Sequence, residues 1–158
     1  MPISEDHIAA LRLLIQRLDG HPVDWALTGS TGMALQGVPL IANDIDVQTN
    51  TSGAYEIAGV LADVALTPVR YLPSERIRSH YGAYELAGVR VEIMGDMEKY
   101  VDGLWEPPVD VRLQRRWVQL EELNLPVMDL RHEVDAYLKM GRIERAGLLR
   151  DWLDHQGS

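Results

Sequence analysis

Hydrophobic positions along the chain change period several times, and each change marks an element. Ile8, Leu11, Leu14, Ile15 and Leu18 recur at helical spacing behind Ser4, a suitable N-cap, with Glu5 and Asp6 in an acidic first turn. Gly20-His21-Pro22 stops that helix. Asp24–Thr28 reads as a short strand running straight into Gly29-Ser30, and residues 31–36 turn helical until Gly37-Val38-Pro39. Residues 43–49 alternate with period two, which puts Ile45 and Val47 on one face of a strand. A second amphipathic helix is predicted over 52–65, with Ile57, Val60, Leu61 and Val64 inward. A strand over 67–72 then breaks at Pro73.

Residues 80–86 and 89–94, joined through Ala87-Gly88, have the pattern of a β-hairpin. Glu98, Asp102, Glu106 and Asp110 surround Pro107-Pro108, so residues 98–110 are expected to be an exposed loop or a broken helix. A strand is predicted over 112–120. After Pro126 two helices are predicted, over 130–140 and 143–153, separated by Gly141. This order predicts an α/β fold of the α+β kind, a mixed β-sheet flanked by helices, and not an all-parallel doubly wound sheet. Residues 1–126 form the expected core. Residues 127–158 form a C-terminal helical segment that packs on the core or supplies an interface, a homodimer among the options.

Composition narrows the class. The 158 residues are those of one ordinary domain, 46% hydrophobic, so disorder is not expected. Fifteen Lys+Arg against 24 Asp+Glu leave a formal charge of −9, which argues against long nucleic acid or an anionic membrane as partner. Zero cysteine excludes disulfides, thiolate zinc sites and cysteine nucleophiles. No apolar run approaches the roughly 20 residues that span a bilayer, and the segment from Met1 to Asp6 lacks the basic head of a signal peptide. A cytoplasmic location is therefore expected. The five histidines lack zinc-site spacing, and no Gly-x-Ser-x-Gly elbow is present.

The candidate chemistry begins at Asp44-Ile45-Asp46. Residues two apart on a strand point the same way, so both carboxylates leave the face opposite Ile45. At about 5 Å and an effective dielectric near 20 they repel by roughly 3 kcal/mol. Such a pair must be solvated, share a proton or hold a cation, and hard oxygen ligands suit Mg²⁺ or Mn²⁺. Acids at this spacing are common in an acidic chain, so context decides. Thirteen residues separate Ser30 from Asp44, and Gly29-Ser30 lies where a strand meets a helix, a place where backbone N–H groups and the Ser30 hydroxyl favour phosphate. A third acid, Glu92, lies between Val91 and Ile93 on the second arm of the hairpin. Three carboxylates on adjacent strands can share two divalent ions.

These residues resemble the nucleotidyltransferase superfamily typified by DNA polymerase beta and the small antibiotic-modifying nucleotidyltransferases. The resemblance rests on Gly29-Ser30, Asp44-Ile45-Asp46-Val47 and Val91-Glu92-Ile93, and covers roughly residues 24–94. Thr28 stands where the family has a hydrophobic residue. The resemblance implies the polymerase-beta-like fold with C-terminal helices, and a magnesium-dependent transfer of a nucleoside monophosphate from a nucleoside triphosphate, ATP, to an acceptor hydroxyl. Asp44 and Asp46 would hold the Mg²⁺ (or Mn²⁺) that accompanies the triphosphate, and Glu92 would join them around a second. Gly29 and Ser30 would bind phosphate. Lys139, from the C-terminal part, is a further phosphate candidate, as are Arg76 and Arg78, and Trp105 is a candidate acceptor contact. The acceptor would be a small molecule or a protein. The rival reading is an inactive, antitoxin-like protein that keeps the fold and binds a partner without turnover. A nucleotide-sugar transferase would use the Asp-x-Asp but leaves Gly29-Ser30 unexplained.

Overall fold

The computed structural model describes residues 3–156. Helix α1 (Glu5–Leu18) starts where the Ser4 side chain accepts from the His7 N–H, and it buries Ile8, Leu11, Leu14 and Leu18. Strand β1 (Trp25–Thr28) passes directly into the short helix α2 (Gly29–Leu35), and β2 (Ile45–Thr49) follows. Helix α3 (Thr51–Val60) is capped by Asn50, whose side chain accepts from the Gly53 N–H. It ends five residues before the predicted limit, because a 3-10 turn over Ala62–Val64 leads into β3 (Ala65–Leu72).

The hairpin is longer than its alternation suggests. Strand β4 spans Ile77–Leu86 and β5 spans Val89–Val101. The first part of 98–110, predicted as loop or broken helix, is therefore sheet. At Asp102 (φ 51) and Gly103 (φ 82) the chain turns into β6 (Leu104–Trp105), which pairs back on β5. Asp-Gly with both φ positive is a tight hairpin turn. The predicted strand over 112–120 divides into one turn of helix, α4 (Val111–Gln114), capped by Asp110, and β7 (Arg115–Leu120). Strand β8 (Leu123–Met128) was not expected, and it carries Pro126 in its interior. It meets β1 at a single registered pair, Leu27 with Val127, and β7 along its whole length, with Pro126 opposite Trp117. Helices α5 (Leu130–Lys139) and α6 (Ile143–Gln156) close the chain.

The sheet order is β3-β4-β5-β2-β1-β8-β7. Parallel pairs β2–β5 and β1–β8 lie among antiparallel neighbours, so the sheet is mixed, as the element order predicts. Its two faces have different tasks. On one, Leu27, Ile45, Val47, Val91 and Ile93 join Leu11 and Leu14 of α1 and Ile57 of α3 in the main core. The other face carries Asp46 and Gln48 of β2 with Glu92 and Met94 of β5, and α5 lies over part of it. Helices α5 and α6 are held there by a second core in which Met33 and Val38 meet Leu130, Val134, Tyr137 and Leu149. No described helix is long and apolar enough to cross a membrane.

Candidate active site

Register sets the site. Thr28 pairs with Asp46 across β1–β2, and Asp46 pairs with Glu92 across β2–β5, so three neighbouring strands present these side chains side by side. Asp44, one residue before β2, is half-exposed, and its carboxylate lies 3.9 Å from the Arg90 guanidinium. Arg90 also approaches Glu92 at 3.4 Å. The three acids and Gly29 thus form one group at the ends of β1, β2 and β5.

Gly29 is dictated by its neighbour. Its φ is +65, and a Cβ at this position would overlap Asp46 Oδ2 and stand 3.2 Å from Asp46 Cγ. Only glycine lets the backbone and the carboxylate approach this closely. Ser30 Oγ accepts from the Asn43 N–H at 2.9 Å, which leaves the hydroxyl proton free to donate elsewhere. Thr31 Oγ1 donates to the Asp44 carbonyl at 2.9 Å and ties the start of α2 to the Asp44–Asp46 segment.

The electrostatics separate the two paired acids. Burial, then a hydrogen bond with Glu92 and the charges of Glu92, Asp44 and Glu133, push Asp46 up to about 8. Burial acts upward on Glu92 too, but hydrogen bonds from Tyr81 and Asp46 and the charge of Arg90 outweigh it, so Glu92 lies below the usual range. The shared proton therefore belongs to Asp46, and Glu92 is the ionised member. Tyr81 Oη donates to Glu92 Oε1, and Arg90 Nη2 donates to Tyr81 Oη at 3.2 Å. Asp46 Oδ1 is buried without a hydrogen-bond partner. A buried lone pair beside a protonated carboxyl, in an all-oxygen donor set, fits a hard divalent cation that would displace the proton. Among the described residues, no three His, Asp or Glu side chains already stand at the mutual spacing of a finished metal shell.

A cavity of about 180 Å³ opens from Gly29 and Asp46 and runs between the sheet face and α5. Its walls include residues that the sequence pattern did not single out: Gln48, Lys99, Glu133, Tyr137 and Arg142. Glu133 is buried, accepts from Thr28 Oγ1 and from the Gly29 N–H, and is pushed up to about 7 chiefly by burial. Thr28 thus departs from the hydrophobic family pattern because a carboxyl 105 positions along the chain needs its hydroxyl. Gln48 had a readable signal, since it continues the alternation of Asp44 and Asp46. Glu133 had none, because only the tertiary packing of α5 brings it to Thr28.

The other predicted residues lie elsewhere. Lys139 ends α5, with its ammonium 3.2 Å from Glu106 and 3.1 Å from Asp135, and it does not line the cavity. Arg78 binds Glu98 at 2.8 Å, and its guanidinium stacks 4.0 Å above the Trp105 ring, so these two brace each other. The carbonyl of Arg76 accepts from the Tyr100 N–H.

A mixed sheet with α2 starting at a glycine-serine turn, and acids aligned on β2 and β5, defines a nucleotidyltransferase fold. The aminoglycoside-2''-adenylyltransferase family model matches residues 10–152, and the chain belongs to that family, which makes it a nucleotidyltransferase. A Thermotoga maritima protein described as a candidate nucleotidyltransferase is 42% identical, with 97% of this chain and 96% of that chain covered and a TM-score of 0.85. The solution structure of the antibiotic-resistance factor ANT(2'')-Ia shares the fold at TM-score 0.60 and 11% identity, covering 92% of this chain and 83% of that one. Its crystal structure in complex with adenylyl-2''-tobramycin gives 0.55 and 9%, covering 90% and 87%. No curated protein matches the chain.

Proposed function

We propose that the protein transfers the nucleoside monophosphate of ATP, in a magnesium-dependent reaction, to a hydroxyl of a small-molecule acceptor and releases pyrophosphate. The observation that carries this reading is the Asp46–Glu92 pair. Two carboxyls stand in register, one with a buried unpartnered oxygen, directly against the Gly29-Ser30 turn.

Asp44, Asp46 and Glu92 are the residues that would hold Mg²⁺ or Mn²⁺. When bound, the metal neutralises phosphate charge and lowers the pKa of the attacking hydroxyl. The chain supplies the rest. Gly29, with no Cβ, lets the backbone of the turn lie directly against Asp46, and the Ser30 hydroxyl, whose oxygen already accepts from the Asn43 N–H, keeps a proton that it can donate to a phosphate oxygen. Arg142, whose guanidinium lies 4.9 Å from the Tyr137 ring, adds a cation to the lining of the cavity that can meet the triphosphate. Glu92, kept ionised by Tyr81 and Arg90, takes the proton that the acceptor hydroxyl loses.

A small basic acceptor is supported by the family and by the charge of −9, which draws a polycation. The ANT(2'')-Ia complex with adenylyl-2''-tobramycin shows a neighbour of the same fold with such a product. The test uses α-labelled nucleoside triphosphates with Mg²⁺, presented with an aminoglycoside panel and with a cell extract. Label in the small-molecule fraction, with pyrophosphate release lost in Asp46→Asn and Glu92→Gln, is the expected result. Label in the protein fraction moves the assignment to a protein acceptor. ATP binding that ignores both metal and Asp46→Asn, with no transfer anywhere, replaces catalysis by the binding-protein reading.

A further inference from the structure

Glu92 is placed to take the proton of an acceptor hydroxyl, and the chain presents a hydroxyl of its own at that carboxylate. Tyr81 Oη donates to Glu92 Oε1 and accepts from Arg90 Nη2 at 3.2 Å. Sheet register explains the reach. Ala83 of β4 stands opposite Glu92, and Tyr81 stands opposite Met94. Residues two apart on a strand share a face, so Tyr81 and Glu92 are diagonal neighbours, a separation that an aromatic side chain spans. Tyr84, the next residue toward the turn, faces the other way, into the main core.

A hydroxyl held between an ionised carboxylate and a cation has the arrangement of an activated nucleophile. The carboxylate takes the proton, and the cation stabilises the charge that develops on the oxygen. Arg90 is kept in this group by Glu92 at 3.4 Å and Asp44 at 3.9 Å. The neighbouring hydroxyls are engaged differently. Thr28 Oγ1 donates to the buried Glu133, and Thr31 Oγ1 donates to the Asp44 carbonyl. Ser30 Oγ accepts from the Asn43 N–H and serves phosphate. Tyr81 is the hydroxyl that meets the acid group itself, and it is only half-buried.

We propose that Tyr81 is a self-modification site: with Mg²⁺–ATP bound and no other acceptor present, the protein transfers AMP to its own Tyr81 hydroxyl. A lone pair of Tyr81 Oη forms the new bond to the α-phosphorus. The bond from that phosphorus to the bridging oxygen breaks, and its electron pair leaves with pyrophosphate. The phenolic proton passes to the Glu92 carboxylate. The product is a phosphodiester of tyrosine with AMP. Because Tyr81 lies against the Glu92 of its own chain, the reaction is intramolecular and stops at a single AMP per chain. The adduct then stands where an external acceptor must meet Glu92, so it silences the chain that carries it. The site deepens the nucleotidyltransferase reading and rests on it for the position of the α-phosphate.

The experiment incubates the full-length protein with Mg²⁺ and ATP labelled at the α- or the γ-phosphate, with no acceptor added. Intact mass and peptide mapping by mass spectrometry are the readouts. The α-label is expected on Tyr81 up to a single AMP per chain, with a rate constant independent of protein concentration, and the γ-label is expected nowhere. Tyr81→Phe should lose the label. Tyr71→Phe should keep it, since that ring packs on His80 in the β3–β4 pair. Arg90→Met should slow labelling about tenfold or more, the scale of one charge-assisted hydrogen bond. If Tyr81→Phe fails to fold, the position mapped in the wild type decides. A purified chain that already carries AMP on Tyr81 also supports the proposal. Label mapped elsewhere, label arriving from the γ-phosphate, or a protein that stays unlabelled overturns it. In that last case Asp46-dependent transfer to the acceptor panel leaves the transferase reading standing. Label on Tyr81 with no transfer to any panel or extract component upholds the self-modification and overturns the external acceptor.

Discussion

Gly29 and Asp46 are in contact across the β1–β2 boundary, and that contact leaves no room for a side chain at position 29. Gly29→Ala meets two penalties at once. A left-handed φ of +65 costs an alanine roughly 1–2 kcal/mol, and its methyl must displace the Asp46 carboxylate. Misplacing a catalytic group by about 1 Å can cost ~100-fold in rate. The expected outcome is a modest loss of stability by urea titration together with a fall of about 100-fold or more in kcat. The double variant Gly29→Ala/Asp46→Ala should recover part of the stability and none of the rate. A Gly29→Ala enzyme with full kcat would remove Asp46 from the reacting centre.

Asp46 and Glu92 give a prediction about metal and stability together. Two adjacent carboxyls that share a proton are an unfavourable pair in the free protein, and Asp46→Asn relieves the pair without changing its volume. The free variant should therefore melt at or above the wild-type temperature. Adding millimolar Mg²⁺ with ATP should raise the wild-type melting temperature and leave Asp46→Asn unmoved. Thermal melts with and without metal, each with and without nucleotide, check both halves.

Much of this site was legible because its signals are short-range. The strand–glycine–helix junction at 29–30 and the Asp44–Asp46 alternation each span fewer than ten residues, and local pattern governs them. The failures came where distant packing or an irregularity intervened. Pro126 reads as a terminator, yet β8 passes through it, in register with Trp117 of β7. A register shift between Arg78 and His80 interrupts the hairpin alternation, and Asp96, opposite that shift, takes φ 46, so the sequence pattern ends β5 seven residues early. Asp102-Gly103 did carry a hairpin signal, obscured by the acidic residues and prolines around it. Lys99 lies on the hidden extension of β5, and its place in the cavity could not be seen until that strand was known to continue.

The C-terminal helices are expected to be indispensable to the site, since α5 supplies the roof of the cavity. Leu149 is fully buried in the second core beside Met33, Val134 and Tyr137. Leu149→Ala should cost about 2–5 kcal/mol. Hydrogen exchange should show α5 and α6 opening before the main sheet. Nucleotide affinity should fall in proportion to the open population, even though Leu149 touches no ligand. A cooperative loss of all elements together would show that the two cores fold as one unit.

Glu133 makes stability depend on pH in a direction that can be fixed in advance. Its folded pKa is raised from an ordinary 4.5 to about 7, chiefly by burial. Below pH 4.5 both states hold the proton and the group contributes nothing to the pH dependence. Between 4.5 and 7 the folded state keeps a proton that the unfolded state releases, so stability declines as pH rises and flattens above 7. The loss attributable to this one group is on the order of 3 kcal/mol. Asp46 titrates nearby, so the comparison must be with a variant and not with absolute stability. Glu133→Gln keeps a carbonyl that accepts from Thr28 and the Gly29 N–H but has no proton to lose. Urea titrations at pH 5 and pH 8 should show Glu133→Gln gaining on wild type by up to that amount at the higher pH. An equal difference at both values would place the Glu133 carboxyl in a more polar setting than its contacts with Thr28 and Gly29 describe.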